Sequence, residues 1–170
     1  MHIDDCSHSF DHLASVILPV YMAQLRELLA LAQPAMEFAA EKDGPATIAR
    51  RLGLDSDFSG CYVLVDSGRP IYVGISRKVL SRLRQHLRGK THFDASLVYA
   101  VAQRRRPTAG HRSSVMASLE FQQAFADAQS YLRSLHVAFV QIDNPLELYI
   151  FEAYAAMALG THEWNTFRTH

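Results

Sequence analysis

Hydrophobic positions in the middle of the chain form two short runs and then recur at helical spacing. Cys61 to Val65 is a β-rich run, Asp66-Ser67-Gly68 is typical of a turn, and Pro70 to Val73 begins a second run. The leucines that follow, Leu80, Leu83 and Leu87, repeat with the period of an α-helix. The pattern therefore predicts a β-hairpin followed by an amphipathic helix.

Two polar side chains, Arg82 and His86, share one face of that predicted helix. Successive residues of an α-helix are turned by about 100°, so both lie beside the leucine stripe and not opposite it. We therefore expect these two side chains to flank the packed surface of the helix instead of pointing fully into solvent.

The N-terminal third of the chain is predicted to be helical. Apolar residues crowd one broad side of the segment 13–40, and Pro19 and Pro34 are expected to divide it into two or three helices. A further helix is predicted over Ala46 to Leu52, ending at Gly53. A DNA-reading helix-turn-helix is an alternative interpretation of that last segment, but a short amphipathic helix packed on the core is favoured.

Helices separated by a basic loop are predicted after the hairpin. Ser96 to Ala102 is expected to be helical, and Gln103 to Arg112 is interpreted as an exposed loop because it combines three consecutive arginines with proline and glycine. A long helix is then expected to begin at Ser113 or Ser114 and to run to Leu135.

The C-terminal part of the sequence predicts one strand and one well-capped helix. The run His136 to Ile142 is expected to be the third strand. Asn144 has the character of an N-cap and Pro145 suits the first helical position. The helix is expected to continue to Leu159, with Gly160 as its stop signal.

Taken together, these elements predict the α+β class, with a small three-stranded mixed or antiparallel sheet flanked by helices. Residues 1–58 are expected to form a helical extension packed on a core domain of residues 59–170, which carries a helical insertion at about 103–134. A hydrophobic content of 49% with 20% charged residues excludes a disordered or fibrous chain. No signal peptide and no membrane-spanning run is found, so a cytoplasmic location away from membranes is expected.

Charge is unevenly distributed along a chain whose formal net charge is zero. Residues 60–112 contain eleven basic and two acidic side chains, and nine of the eleven are arginines. Such a local excess favours binding to a phosphate backbone over a merely solvated surface, because the planar guanidinium suits phosphate. The basic residues expected to contact nucleic acid are Lys78, Arg84, Arg88, Lys90, Arg104, Arg105 and Arg106.

The hairpin and its helix carry two short motifs and two further polar residues in a fixed order. Gly60-Cys61-Tyr62 lies in the first strand, Tyr72-Val73-Gly74 lies in the second, and Arg82 and His86 follow at helical spacing. In this order they resemble the GIY-YIG nucleases, with cysteine in place of the isoleucine of the first motif. A small apolar thiol can substitute there for an inward-facing aliphatic side chain.

The resemblance extends from Gly60 to Asn165. Glu152, on the helix after the third strand, falls where the family has a glutamate, and Asn165 falls where it has an asparagine. Glu152 is also surrounded in the sequence by aromatic and aliphatic residues, and a carboxylate in such surroundings is costly unless it is paired, protonated or bound to a cation. Gly74 and Asn165 are expected to support the site structurally.

The resemblance implies a hydrolase that cleaves phosphodiester bonds in DNA, taken to be duplex. One divalent cation, Mg²⁺ or Mn²⁺, would be held by Glu152 with water completing its shell. Arg82 would neutralise the phosphate, Tyr62 or His86 would accept the proton of the attacking water, and Tyr72 would hold the water or phosphate in line. Tyr62 could act as a base only if cationic neighbours lowered its pKa.

Each assignment has a structural alternative. Hairpin tyrosines commonly serve in packing, a helical arginine is ordinarily a surface residue, a lone histidine is more often hydrogen-bonded than catalytic, and Glu152 could form a buried bridge with Arg82. A second function therefore stands beside the nuclease: a nucleic-acid-binding module that keeps the fold without turnover. The nuclease would act as part of a restriction, repair or defence system.

Overall fold

The computed structural model of the chain describes residues 3–167. Its strands and longer helices, in chain order, are α1 Phe10–His12, α2 Leu18–Leu29, β1 Gln33–Pro34, α3 Pro45–Arg51, β2 Gly60–Asp66, β3 Arg69–Ser76, α4 Val79–Arg88, α5 Ser96–Arg105, α6 Arg112–Ala117, α7 Leu119–Ser134, β4 His136–Gln141 and α8 Pro145–Leu159. Short 3₁₀ segments span Ile3–Asp5 and Ala35–Phe38, and a π-helical turn spans Leu13–Ile17. Among the helices described, none is long and apolar enough to cross a membrane.

The chain forms two compact units. The first unit comprises residues 3–33, 57–79 and 136–167, and the second comprises residues 34–56 and 80–135. Each unit thus contains residues from both predicted parts, the extension 1–58 and the core domain 59–170. The division into these two parts stays a prediction. The outermost residues of that division, 1–2 and 168–170, lie outside the described residues.

The α+β class is confirmed, but the sheet has four strands where the sequence predicted three. Their order is β1-β4-β2-β3, and β2 pairs antiparallel with both β3 and β4. The extra strand consists of Gln33 and Pro34 alone. Pro34 was expected to break a helix, and its missing N–H is tolerated here because β1 is the edge strand next to β4.

The hairpin of β2 and β3 is confirmed, together with its turn. Asp66 pairs with Arg69, which leaves Ser67 and Gly68 as a two-residue loop. Both loop residues have positive φ, 49° and 81°, as a type I′ turn requires. This turn matches the twist of the strands. Between the pairs Val65–Pro70 and Leu64–Tyr72 the register shifts by one residue, and this shift places Tyr62 opposite Gly74 and on the same face as Tyr72.

One face of the sheet carries the hydrophobic core of the first unit. Cys61, Val63 and Val73 are buried in one cluster with residues of α2 and α8, among them Leu25 and Phe151. Because side chains alternate along a strand, the neighbouring positions of β2 and β3 project from the opposite face. Helix α8 therefore covers only one side of the hairpin.

Helix α8 has the caps that its sequence predicted. The Asn144 side chain accepts hydrogen bonds from the N–H groups of Leu146 and Glu147, and Pro145 occupies the first turn. At the other end, Gly160 adopts the left-handed conformation with φ 67°. Because both ends are fixed locally, the helix holds its side chains in a defined position along the sheet.

A buried polar cluster lies at the start of α8. Glu147 is 7% exposed and accepts a hydrogen bond of 2.7 Å from the Tyr21 hydroxyl of α2. The Cys6 thiol donates to the same carboxylate over 3.7 Å. Burial, followed by this hydrogen bond to Glu147, raises the pKa of Tyr21. The cluster ties the N-terminal residues to α8 within the first unit.

The second unit is helical, and two predictions about it are wrong in detail. Arg104 and Arg105 belong to α5 and not to a loop, because arginine is a good helix former and only Pro107 disfavours the helical conformation at the preceding residue. The single helix expected from Ser113 or Ser114 to Leu135 is divided into α6 and α7. Ser118, whose hydroxyl accepts from the N–H of Phe121, caps the second of them.

Candidate active site

The tyrosine of the first motif lies across the glycine of the second. Tyr62 and Gly74 are direct partners in the β2–β3 ladder. A Cβ placed on Gly74 would lie 2.5 Å from both Cζ and the hydroxyl oxygen of Tyr62, so only glycine leaves room for the phenol ring. Glycine is required in the first motif for a similar reason, because a Cβ on Gly60 would overlap the carbonyl oxygen of Val140 in β4.

The two tyrosines of the motifs are neighbours on one face of the hairpin. The ring centroids of Tyr62 and Tyr72 are 6.1 Å apart, with the ring planes inclined by 50°. Tyr62 is 1% exposed, whereas Tyr72 is half-buried. Of the two hydroxyl-bearing rings, Tyr72 is therefore the one more accessible to solvent.

Asn165 supports the second motif directly. Its side chain accepts a hydrogen bond of 2.8 Å from the N–H of Val73 and donates one of 2.7 Å to the Val73 carbonyl. β3 is the edge strand of the sheet, so the amide completes backbone pairing that no further strand provides. Asn165 was expected to support the site structurally, and its hydrogen bonds go to the strand of the second motif.

Glu152 is half-buried on α8, and burial raises the pKa of its carboxyl group. Within the described part of the first unit, no hydrogen bond or ion pair involves this carboxylate. The carboxylate is close enough to Cys61 that its charge, after the larger effect of burial, also raises the pKa of that thiol. Glu152 is therefore a carboxylate in partly apolar surroundings, as its sequence neighbours predicted.

Glu152 and the two tyrosines do not share a face of the sheet. α8 packs on the face that carries Cys61 and Val73, and Tyr62 and Tyr72 project from the other face. The edge strand β3 lies between them. Within the first unit, these three side chains could act on one ligand only if that ligand reached around this edge.

Arg82 lies on α4 in the second unit and is half-buried, as expected of a side chain that flanks the leucine stripe. Its Nη1 donates to Oε1 of Gln85 and to the carbonyl of Asp94, both over 3.1 Å, and its Nη2 donates to the Ser96 hydroxyl over 2.8 Å. These three hydrogen bonds fix the guanidinium and leave two of its five N–H groups for another acceptor.

His86 is more deeply buried than its predicted flanking position suggests. It is 1% exposed, like the leucines of the stripe beside it. Burial, and then the charge of Arg82, lower its pKa to about 3. The imidazole is therefore neutral at physiological pH, which makes it a weak proton acceptor there.

Two arginines predicted to bind nucleic acid are occupied by backbone carbonyls of the second unit. Nη1 of Arg84 donates to the carbonyls of Phe38 and Ala40, and Nη1 of Arg88 donates to that of Ala39. Burial, followed by the charge of Arg88, lowers the pKa of Arg84. Both guanidinium groups thus satisfy carbonyls at the end of the Ala35–Phe38 segment and just after it.

The remaining basic residues of the predicted interface are exposed. Lys78 and Lys90 are exposed, as are Arg104, Arg105 and Arg106 near the end of α5. The guanidinium of Arg105 stacks on the Tyr131 ring at 4.4 Å, and that of Arg106 pairs with Glu120. The excess of basic residues over the segment 60–112 therefore lies partly at the surface and partly in internal hydrogen bonds.

An open cleft of about 570 Å³ in the first unit was not predicted from the sequence. It lies where β3 ends and α8 begins, and Arg77 and Tyr149 contribute to its walls. Tyr149 is one of the aromatic residues that surround Glu152 in the sequence, yet it is 72% exposed. The sequence does place Tyr149 three residues before Glu152, a spacing at which two side chains of a helix are neighbours.

No cluster of three or more histidine, cysteine, aspartate or glutamate side chains able to hold a metal ion occurs within residues 3–167. A site built on the single carboxylate of Glu152 does not require such a cluster. Comparison with protein-family models, with curated proteins and with solved structures found no match to this chain.

Proposed function

We propose that this chain is a divalent-metal-dependent endonuclease of the GIY-YIG type that hydrolyses phosphodiester bonds in duplex DNA. The observation that carries the proposal is the mutual fit of the two motifs: the Tyr62 ring covers Gly74, and Asn165 holds both backbone groups of Val73. The two tyrosines adjoin on one face of this hairpin, and the amide braces the strand that carries Tyr72, so both rings are held in a defined position.

The residues present are compatible with one Mg²⁺ or Mn²⁺ ion at Glu152. The carboxylate is half-buried, and burial raises its pKa, which a bound cation would offset. Mg²⁺ keeps most of its water shell and commonly takes only one or two protein carboxylates. When bound, the ion would supply positive charge to the phosphate and lower the pKa of its water.

The chain's own residues would supply proton transfer and charge neutralisation. Between the two candidate proton acceptors, the low pKa of His86 favours Tyr62, because a base with a pKa near 3 gives little driving force at neutral pH. His86 would then serve as a neutral hydrogen-bonding group. Tyr72, the more accessible of the two tyrosines, would orient the water or the phosphate.

Arg82 is the arginine of α4 best suited to bind the phosphate. Three hydrogen bonds orient its guanidinium, and two N–H groups remain for phosphate oxygens. Arg84 has the opposite character, since its guanidinium is occupied by the carbonyls of Phe38 and Ala40. An oriented guanidinium loses less conformational freedom when it binds a phosphate.

The direct test is incubation of the purified chain with supercoiled plasmid in Mg²⁺ or in chelator. We expect nicking that depends on Mg²⁺ and is lost in Glu152→Gln. The same variant should lose any Mg²⁺-induced rise in melting temperature and remain folded. Glu27→Gln, an exposed glutamate of α2, is the matched control and should cleave like the parent. Cleavage by Glu152→Gln at the parental rate would refute the proposal.

A nucleic-acid-binding module without turnover is the second candidate, and one observation favours it. Glu152 lies on α8, on the face of the sheet opposite Tyr62 and Tyr72. The binding module predicts DNA affinity that falls steeply with salt and no nicking under any metal condition. Lys78→Ala with Lys90→Ala, two exposed cations, should reduce that salt dependence under either candidate.

A further inference from the structure

The cleft at the start of α8 combines an aromatic ring, a cation and carboxylates in one concave surface of the first unit. Its volume of about 570 Å³ lies within the range of small-molecule sites. The residues that matter for its chemistry are Asp4, Ile75, Ser76, Arg77, Asp143 and Tyr149. They come from the N-terminal segment, the end of β3 and the loop and first turns of α8.

Tyr149 is the largest exposed side chain of this cleft. It is 72% exposed, so packing in the core does not account for an aromatic residue at this position. Arg77 is also exposed, and it forms no hydrogen bond or ion pair within the described part of the first unit. A flat ring beside an uncommitted guanidinium is a combination that binds a base and its phosphate.

The cleft is adjacent to Glu152 along α8. Tyr149 and Glu152 are three residues apart, which separates them by about 60° around the helix and about 4.5 Å along its axis. Tyr21 of α2 contacts α8 through Glu147 and Phe151, which lie on another side of the helix. Tyr149 and Glu152 therefore lie on the part of the helix surface away from Glu147 and Phe151, and a ligand in the cleft would lie within about one helical turn of Glu152.

We propose that this cleft binds a single unpaired nucleotide of a nucleic-acid strand. The base stacks on Tyr149, and Arg77 binds its phosphate. This inference rests on the proposed function and extends it, because the bound nucleotide would adjoin the phosphodiester presented to Glu152. The proposed substrate is thus a strand with at least one unstacked base, which costs little at a mismatch, gap or single-stranded end.

The acidic residues of the cleft predict which base it binds better. Asp4 and Asp143 line it alongside Arg77. A carboxylate accepts a hydrogen bond from the amino group of cytosine, whereas thymine offers only carbonyl oxygens at that position and would be repelled. Cytosine should therefore bind better than thymine, and Asp143 is the residue expected to carry the difference.

The test measures binding separately from cleavage. Fluorescence anisotropy with labelled single-stranded dC and dT octamers would be recorded on the Glu152→Gln protein, which is expected to bind without cutting. We expect the dC octamer to bind more tightly, Tyr149→Ala to weaken it by about tenfold, and Tyr149→Phe to keep most of the affinity. Arg77→Ala should weaken both octamers, and Asp143→Asn should remove the preference between them.

Phe10→Ala is the matched control, because Phe10 is an exposed aromatic residue of the same unit outside the cleft. The cleft proposal is overturned if Tyr149→Ala and Phe10→Ala bind the dC octamer equally, or if dT binds as well as dC. In that case, plasmid nicking that still depends on Glu152 would leave the nuclease proposal intact. Tyr149-dependent binding without nicking in the parent would refute the nuclease and keep the cleft.

Discussion

The side-chain amide of Asn165 pairs with both the N–H and the C=O of Val73, at 2.8 and 2.7 Å. An amide used in this way imitates the backbone of a neighbouring strand, so it closes the exposed edge of β3 at the centre of the second motif. The residues that follow α8 therefore act on the hairpin through one side chain, nearly a hundred positions away along the chain.

Asn165→Ala should lower the free energy of unfolding by about 1 to 2 kcal/mol, because two hydrogen bonds of a part-buried edge are lost. Asn165→Asp keeps the acceptor for the Val73 N–H but opposes the Val73 carbonyl, so it should be no more stable than alanine. Urea unfolding would measure both variants. Parental stability of the alanine variant would mean that water replaces the amide at no cost.

Gly74→Ala should destabilise the protein by about 2 kcal/mol, because its Cβ would meet the Tyr62 ring at 2.5 Å. Adding Tyr62→Ala should relieve part of this penalty, and the two changes should be coupled by about 1 kcal/mol or more in a double-mutant cycle. Gly44→Ala, where a Cβ meets nothing within 4 Å, is the control and should cost less, because only the preference of the α3 N-cap for glycine over alanine opposes it. Additive effects of Gly74→Ala and Tyr62→Ala would contradict the close fit.

Tyr62→Phe removes one oxygen and keeps the packed ring. A structural tyrosine would lose about 1 kcal/mol of stability and no activity. If Tyr62 accepts the proton of the attacking water, single-turnover cleavage should fall by about a hundredfold or more while DNA affinity is retained. Near-parental cleavage across a range of pH would eliminate this role.

Arg84→Ala and Arg82→Ala should have different consequences. Arg84 hydrogen-bonds two backbone carbonyls, so its removal should cost about 2 kcal/mol of stability and leave the cleavage rate of the folded protein unchanged. Arg82→Ala should abolish cleavage, because it removes the guanidinium expected to bind the phosphate. Unfolding curves and single-turnover rates on the same samples separate the two effects, and equal rates would contradict the assignment.

His86 should make stability depend on pH in the acid range. The native imidazole has a pKa of about 3, against 6.5 for the unperturbed group, so the unfolded state binds more protons between these values. The free energy of unfolding is unaffected by His86 above about pH 6.5. Below that pH it should decrease toward pH 3 by up to about 1.4 kcal/mol per pH unit.

The contribution of His86 can be isolated by subtraction. Urea unfolding of His86→Asn at several pH values should give a flatter profile than the parent, and the exposed His111→Asn should reproduce the parental one. If the parent and His86→Asn have parallel profiles, the pKa of His86 is not lowered in the native state.

The elements predicted well are those that local sequence determines. The Ser67-Gly68 turn and the Asn144 and Gly160 caps need only residues within a few positions of one another. Strand β1 could not be found in this way. Gln33 and Pro34 have no alternation, and only their pairing with β4, more than a hundred residues later, makes them a strand.

In the candidate site, too, the features determined by local sequence could be predicted and the others could not. The hairpin follows from a two-residue turn and could be predicted, but the one-residue register shift that places Tyr62 and Tyr72 on one face could not. The low pKa of His86 and the carbonyl partners of Arg84 depend on burial and on backbone positions far away in sequence, and no spacing encodes them. The opposite faces of Glu152 and the tyrosines likewise depend on which side of the sheet receives α8.

The two cysteines provide the chain with built-in reporters of its opening. Both thiols are free and buried, Cys6 against Glu147 and Cys61 in the central strand β2. Alkylation of Cys6 requires only that the N-terminal residues detach, whereas alkylation of Cys61 requires the sheet to separate. Labelling rates followed by mass spectrometry would therefore compare, in one native sample, detachment of the N-terminal residues from α8 with separation of the sheet.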